Sequence, residues 1–305
     1  CCPVCRENDV VNLFAMTGQP VMGFLNSKSL YYKYCQHCEY AYSDPYVDQS
    51  QLYIYYDEYN FETPFRYQDI GSYLSSLGED TVSHWNNYTS IIDIVKSLSP
   101  KSSLLDIGGG NGEFCCFVRE HRSDIDISMW DFRIDETLKG ELQNRNIRAR
   151  QTDFINERFP EEKFNLITNW EVIEHLDLNI LKDYFQKVFS SLSKGGYFVI
   201  STPDFASPIT QALDFWAMAP GEHLSVLSLN VLNKIAVEIG FKIVATKHES
   251  VTIKNSKSWF SFAQSNASAL ANRGESFIVE QVLSDKVSRD RLREVMRNIN
   301  QGSEL

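Results

Sequence analysis

The chain has 305 residues, of which 43% are hydrophobic and 23% are charged, and its formal net charge is -11 at pH 7. This length allows one large core and a smaller domain, and the composition is ordinary for a globular protein. The negative charge disfavours nucleic acid as a partner. No apolar run is long enough for a membrane-spanning helix and no secretory signal pattern is present, so we expect a cytoplasmic protein.

Five of the seven cysteines lie in two short motifs, CCPVC and YCQHC. Two residues separate Cys2 from Cys5, and two separate Cys35 from Cys38. This spacing lets one turn present two thiolates to a metal ion, and two such turns complete a tetrahedral zinc site. Cys1 is an alternative to Cys2, at a less usual spacing. Because four thiolates leave zinc no open coordination position, the predicted Zn2+ is structural.

A tyrosine-rich tract follows, with seven tyrosines from Tyr40 to Tyr59. Their rings either pack on the main domain or line a binding site for a polar ligand such as a sugar. We therefore predict a zinc ribbon and tyrosine-rich flap over residues 1–60. Apolar residues at helical spacing before Pro100 predict a connecting helical segment over residues 61–99.

The next segment, SLLDIGGGNGEFCCFV, is typical of a strand, a tight turn and a helix. Gly108, Gly110 and Gly112 form a G-x-G-x-G pattern in the turn. Glycines allow a sharp turn and close contact between a ligand and the backbone, with helix N–H groups facing that ligand. Several nucleotide-binding folds use such turns, so the motif alone does not identify one of them.

Strands and helices alternate after the turn. The strand in ISMWDF ends at Asp131, where a doubly wound fold places a carboxylate for ribose hydroxyls. RARQTDF ends a third strand at Asp153, FNLITNWEVIEHL contains a fourth, and YFVISTP is a fifth. Helices are predicted after Asp177 and over residues 229–239. FKIVATKHE and SWFSFAQS supply two closing strands, so the whole predicts an α/β sheet.

Together LLDIGGGNGEF, the acid at Asp131, TDF, NWEVIEHL and LSKGGYFVISTPD resemble the class I S-adenosylmethionine (SAM)-dependent methyltransferases. The resemblance covers roughly residues 80–265. It implies a Rossmann-like α/β fold with strand order 3-2-1-4-5-7-6, the SAM-binding domain occupying residues 100–265. It also implies an enzyme that uses SAM to transfer a methyl group.

The same resemblance implies the cofactor site. Asp106 and the glycines would face the methionine end of SAM, Asp131 would bind the ribose, and Asp153 would lie at the adenine. The tryptophan and glutamate of NWEVIEHL would lie near the sulfonium. The predicted cofactor-binding residues are Asp106, Gly108, Gly110, Gly112, Asp131, Phe132, Asp153, Phe154 and Trp170.

A four-cysteine zinc ribbon fused to such a domain resembles the deoxysugar C-methyltransferases and their relatives in bacterial glycan and antibiotic gene clusters. TGQPVMGFL and PGEHLSVLSLNVLNKIAVEIGF are similar to segments of that group. This resemblance implies O- or C-methylation of a nucleotide-linked sugar or glycan precursor. Where that group has a large C-terminal domain, this sequence has a helical extension, residues 266–305, which could pack on the main domain or form a homodimer.

Methyl transfer to a hydroxyl, or to a carbon beside a ketone, needs a general base, and histidine has a suitable pKa. His223, which follows Glu222 after the fifth strand, is the first candidate for a base or acceptor-binding residue. His175, beside Glu174, is the second, and His84 is a third. The alternative for each histidine is a structural role.

Two other functions stay open. The acceptor could be another small molecule, such as a quinone or a natural product. An RNA-modifying protein is a less favoured alternative, because the charges of the ribbon are nearly balanced and form no basic stripe.

Overall fold

The computed structural model describes residues 2, 5–16, 30–37, 40–44, 52, 88, 91–205 and 223–246. Several predicted features lie outside these residues: Glu222, Cys38, His84, the tract tyrosines from Tyr46 to Tyr59, most of the connecting segment and the extension 266–305. Within the described part of the chain, no helix is long and apolar enough to cross a membrane.

The first sheet is antiparallel and combines the cysteine-containing region with a strand from much later in the sequence. Its strands are β1 (Val10–Met16), β2 (Leu30–Cys35), β3 (Tyr40–Asp44) and β9 (Ser225–Val226), in the order β1-β2-β3-β9. In the β3–β9 pair, Ala41 lies opposite Val226 and Tyr42 lies opposite Ser225. The predicted ribbon is therefore joined to the main domain by a shared sheet.

The second sheet is parallel and contains five strands. They are β4 (Ser103–Ile107), β5 (Asp126–Asp131), β6 (Ile147–Gln151), β7 (Phe164–Trp170) and β8 (Leu192–Ser201), in the order β6-β5-β4-β7-β8. Counted along the chain within this sheet, the order is 3-2-1-4-5, which confirms that part of the prediction.

The remaining two strands of the predicted order 3-2-1-4-5-7-6 are not seen. Residues 241–246, expected to begin a strand in FKIVATKHE, form no ladder. That expectation was wrong for these six positions, because a strand needs a partner and none of the described strands pairs with them. SWFSFAQS lies outside the described residues.

Five α-helices occur in the described segments. They are α1 (Ile92–Ser97), α2 (Glu113–His121), α3 (Glu136–Asn144), α4 (Leu178–Ser191) and α5 (Leu229–Ile239). Side chains at their starts explain two of the boundaries: Asp135 accepts a hydrogen bond from the Leu138 N–H, and Ser228 accepts one from that of Val231. Gly240, in the left-handed conformation, ends α5 as predicted.

The hydrophobic core covers both faces of the parallel sheet, as the apolar residues of its central strands require. Neighbouring residues on one strand point to opposite faces, so Leu104 packs toward α1 and α2 while Leu105 packs toward α4 and α5. Burying a leucine of this kind stabilises the fold by about 1.5–3 kcal/mol. The second face also includes Cys2, Cys35 and Tyr40, so the antiparallel sheet belongs to the same core.

Candidate active site

The glycine loop lies at the carboxyl end of β4, where the sheet order reverses between β4 and β7. In doubly wound sheets, this switch point is where ligands bind. Gly108 donates its N–H to the Trp130 carbonyl at 2.8 Å, which ties the loop to β5. Gly110 has a φ of +55°, and no described atom lies within 4 Å of where its Cβ would be. The loop therefore presents bare backbone to open space just before α2 begins.

Asp106 lies beneath the loop and not in the open space above it. Its side chain is 1% exposed and accepts a hydrogen bond from the Thr168 hydroxyl at 2.7 Å. The Cys115 thiol approaches its other oxygen at 3.8 Å. Burial raises the pKa of the Asp106 carboxyl to about 7, against the effect of these two hydrogen bonds. Asp106 thus supports the loop from below, and its predicted contact with SAM remains a prediction.

Asp131 is placed to shape the same loop. One carboxylate oxygen accepts the Gly110 N–H at 2.8 Å, and the other accepts the Arg133 N–H at 3.0 Å. The side chain is half-buried at the carboxyl end of β5. A carboxylate held in this way beside a glycine turn is where ribose hydroxyls bind in doubly wound folds.

Two aromatic rings, Phe132 and Phe154, and a second acid, Asp153, lie just beyond the ends of β5 and β6. The Phe132 and Phe154 ring centroids are 4.3 Å apart, and Phe154 is buried. The Asp153 carboxylate accepts hydrogen bonds from the N–H groups of Ile155 and Asn156 and from the Asn156 side chain. Asp153 therefore fixes the turn after β6, and its predicted contact with adenine remains a prediction.

Trp170, the last residue of β7, packs into an aromatic cluster. Its ring lies 5.0 Å from that of Tyr88 and 5.1 Å from that of Phe114, centroid to centroid. Its indole N–H is buried and has no acceptor among the described residues. A buried indole N–H in this state is available to a ligand oxygen or a water molecule.

The structure brings together His175 and His223, which lie 48 positions apart in the sequence. Their rings meet edge to face, with centroids 4.7 Å apart. One nitrogen or oxygen atom from each of Glu174, His175 and His223 lies within 4.8 Å of the other two. Glu174 and His223 are buried, and His175 is half-buried. A carboxyl beside two imidazoles can accept and relay a proton.

Two glutamates near the histidines, Glu171 and Glu174, accept hydrogen bonds from hydroxyl groups at the carboxyl end of β8. The Ser201 hydroxyl donates to Glu171, and the Thr202 hydroxyl donates to Glu174 at 3.0 Å. Burial, and then the neighbouring Glu171 carboxylate, raises the pKa of Glu174 well above its ordinary value. Burial and the neighbouring carboxylate therefore favour the protonated form of Glu174.

The ribbon cysteines also converge. The sulfur atoms of Cys2, Cys5 and Cys35 all lie within 4.8 Å of one another, and those of Cys5 and Cys35 are 3.5 Å apart. None of these three is in a disulfide. Tetrahedral zinc with sulfur at about 2.3 Å needs sulfurs roughly 3.8 Å apart, so the three thiols fit such a site. Cys115 and Cys116 are core residues instead, as expected for an apolar helix.

Sequence reasoning missed the residues that hold the histidine pair. The Tyr32 hydroxyl donates to the His223 carbonyl at 2.6 Å, and the Ser225 hydroxyl donates to the Leu176 carbonyl at 2.9 Å. Nothing in YYKYC or HLSVL marks these roles, because they depend on the pairing of β3 with β9. Glu174 could have been found, since NWEVIEHL places it beside His175.

The arrangement defines an α/β protein with a glycine loop at the switch point of its parallel sheet and a histidine pair beyond the carboxyl end of β7. Residues 84–246 match the family described as "Methyltransferase domain". The match covers more than half of the chain, and the chain belongs to this family. The predicted methyltransferase is confirmed at that level.

The sequence is similar to a curated relative over about a third of its length. The phosphoethanolamine N-methyltransferase of Plasmodium falciparum (isolate 3D7) is 32% identical over 109 residues, which are 34% of this chain and 40% of the relative. The chain thus spans less than half the length of that curated relative.

Two solved structures are similar at low identity. The YcgJ protein from Bacillus subtilis has a TM-score of 0.48 and 16% identity, covering 68% of this chain and 88% of that one. A Haemonchus contortus phosphoethanolamine N-methyltransferase 2 in complex with S-adenosyl-L-methionine has a TM-score of 0.47 and 13% identity, covering 94% and 67%.

Proposed function

We propose that this protein transfers the methyl group of SAM to a small polar acceptor. The observation that carries the proposal is the position of the glycine loop and Asp131 at the switch point of the sheet, on the same edge as the His175–His223 pair. When bound, SAM supplies a methyl group activated by a positively charged sulfur. The residues that would hold it are the loop backbone at Gly108–Gly112, Asp131 at the ribose, and the wall formed by Phe132 and Phe154.

The chain's own chemical task is then to orient the acceptor and remove its proton. His223 is the proposed base. Its ring is buried and abuts the edge of His175, so a proton taken from the acceptor is held by the imidazole pair with the Glu174 carboxyl nearby. Burial of His223 limits the access of water to its ring.

A sugar is the first proposed acceptor, nucleotide-linked or part of a glycan precursor, with O- or C-methylation. It is supported by the combination of a cysteine cluster and a Glu222–His223 segment, which resembles the sugar methyltransferases. Phosphoethanolamine is the second candidate, supported by the 32% identical stretch shared with a phosphoethanolamine N-methyltransferase.

We further propose that Cys2, Cys5, Cys35 and Cys38 hold a structural Zn2+. The three described thiols have the spacing and the reduced state that zinc needs. Zinc would supply cross-linking and no open coordination position, because all four ligands come from the protein.

The proposal is tested by incubating the chain with SAM carrying a labelled methyl group and separate panels of nucleotide sugars and phosphoethanolamine. Mass spectrometry should find one labelled methyl on a sugar. His223→Ala should lower turnover on that acceptor by about 100-fold or more and leave SAM affinity unchanged. His121→Ala, at an exposed position on α2, is the matched control. Failure to bind SAM would overturn the proposal, and labelling of phosphoethanolamine alone would replace the sugar by the second acceptor.

A further inference from the structure

Successive residues of the segment that begins at His223 form hydrogen bonds with the antiparallel sheet. The Tyr32 hydroxyl of β2 binds the His223 carbonyl at 2.6 Å. The Ser43 N–H of β3 binds the Leu224 carbonyl at 3.1 Å. The next two residues, Ser225 and Val226, are β9 itself and pair with β3. His223 therefore lies two residues before β9, and each residue from His223 to Val226 is bonded to or paired with β2 or β3.

Tyr32 reaches the His223 carbonyl across an intervening strand, β3. It lies on β2, opposite Ser43 of β3, and directly opposed residues of antiparallel strands point to the same face. Ser43 is small and buried, so the Tyr32 ring can pass beside it to the chain beyond β3. Tyr32 is 0% exposed, and its hydroxyl meets a carbonyl that is equally buried.

The same strand is tied to the other histidine. The Ser225 hydroxyl binds the carbonyl of Leu176, the residue after His175. Two side-chain hydrogen bonds thus help to fix the backbone positions of the segments that carry the two imidazoles. One comes from Tyr32 and the other from Ser225, and neither residue touches the imidazole rings through these bonds.

We infer that Tyr32 is a positioning residue for His223: its hydroxyl fixes the peptide that follows His223, so the antiparallel sheet sets where the imidazole meets His175. The catalytic meaning of this role rests on the proposed function, in which His223 is the base. The positional meaning does not, since it concerns only where the side chain stands.

The experiment compares Tyr32→Phe with Tyr184→Phe in the full chain. Each change deletes one buried hydroxyl and keeps the ring, but the Tyr184 hydroxyl has no hydrogen-bond partner in the part of the chain described. Diethyl pyrocarbonate labelling, read by mass spectrometry, measures how readily His223 is reached, with exposed His121 as the internal reference. We expect labelling of His223 to rise about fivefold to tenfold in Tyr32→Phe and to stay unchanged in Tyr184→Phe.

The second readout is turnover of the acceptor found in the methylation screen. Tyr32→Phe should lower kcat roughly 10- to 100-fold with little change in KM for SAM, because a displaced base affects the reacting geometry and not the cofactor site. In a His223→Ala background the same change should have no further effect, since the residue being positioned is gone. A merely structural role would give equal losses in both backgrounds.

Ser225→Ala provides an independent variant if Tyr32→Phe folds poorly, and the same rise in His223 labelling is expected. Unchanged labelling in a folded Tyr32→Phe chain would overturn the inference. Faster labelling with unchanged kcat would overturn the catalytic part of the inference, while leaving the methyltransferase proposal intact. If the wild-type chain methylated nothing, the proposed function would fail, and the labelling result would still decide the positional role.

Discussion

Asp131 is the side chain that holds the glycine loop at the proposed cofactor site. Both of its carboxylate oxygens accept backbone N–H groups, one of them from Gly110 in the glycine loop. Removing them loosens the loop and also deletes the proposed acceptor for ribose hydroxyls. A hydrogen bond to a charged group contributes about 1.5–3 kcal/mol, which corresponds to roughly 10- to 100-fold in affinity.

We therefore expect Asp131→Ala to weaken SAM binding by roughly 10- to 100-fold in calorimetry and to reduce the rise in melting temperature that SAM causes. Asp126→Ala is the matched control. Asp126 lies at the opposite end of the same strand, is exposed, and is 3.8 Å from Arg148. Equal SAM affinity in Asp131→Ala and the wild-type chain would remove Asp131 from the site.

Asp106 gives the stability of the fold a pH dependence. In the unfolded chain its carboxyl ionises near pH 4, whereas in the folded chain burial raises its pKa to about 7. The folded state therefore binds more protons between these values, and stability falls as pH rises from about 4 to about 7. A difference of three pKa units corresponds to at most about 4 kcal/mol.

Asp106→Asn should remove this dependence, because an amide resembles the protonated acid and does not ionise. The variant should be within about 1 kcal/mol of the wild-type chain near pH 4.5 and exceed its free energy of unfolding by up to about 4 kcal/mol at pH 8. Urea unfolding at a series of pH values measures the difference, with Asp126→Asn as the exposed control. A wild-type-minus-variant difference that does not change with pH would contradict the raised pKa.

At the scale of helices and strands, the elements whose own residues form a clear apolar pattern could be predicted from the sequence. The parallel strands other than β6 contain apolar runs, and α4 and α5 have apolar residues at helical spacing, so local physics largely determines them. The glycine loop was predictable because alternate glycines before a helix indicate a tight turn with left-handed backbone conformations. The positive φ of Gly110 confirms this.

Elements determined by distant contacts could not be predicted in this way. β9 has only two residues, and its pairing with β3 depends on chain more than 180 positions away. Residues 241–246 have the composition of a strand but no partner among the described strands, and composition alone does not form a ladder. The burial of Asp106 below the loop depends on Thr168, from another strand. The roles of Tyr32 and Ser225 were hidden for the same reason.

At the scale of the whole molecule, the cysteine cluster and the histidine pair are parts of one structure. Cys2 and Cys35 belong to the core cluster that also contains Leu105, Phe185 and Leu227. Cys35 ends β2, the strand that carries Tyr32, and β3 connects that strand to the segment after His223. A metal bound to the thiols would therefore stabilise the base as well as the ribbon.

Loss of the metal should thus affect the molecule as a unit. Elemental analysis of the wild-type chain should find about one zinc per chain, and Cys35→Ser should lose it. The melting temperature of Cys35→Ser should fall by roughly 5–10 °C in a single transition, because the two sheets share a hydrophobic core. SAM affinity should be retained, since none of the proposed SAM-binding residues lies in the antiparallel sheet.

Cys116→Ala is the control for the loss of a buried thiol. Cys116 is 1% exposed on α2, outside the thiol cluster, so this variant should keep its zinc whatever its stability. A wild-type chain without zinc would contradict the metal site. A Cys35→Ser chain that melted in two separate steps would contradict the shared core, because the ribbon would then unfold independently of the parallel sheet.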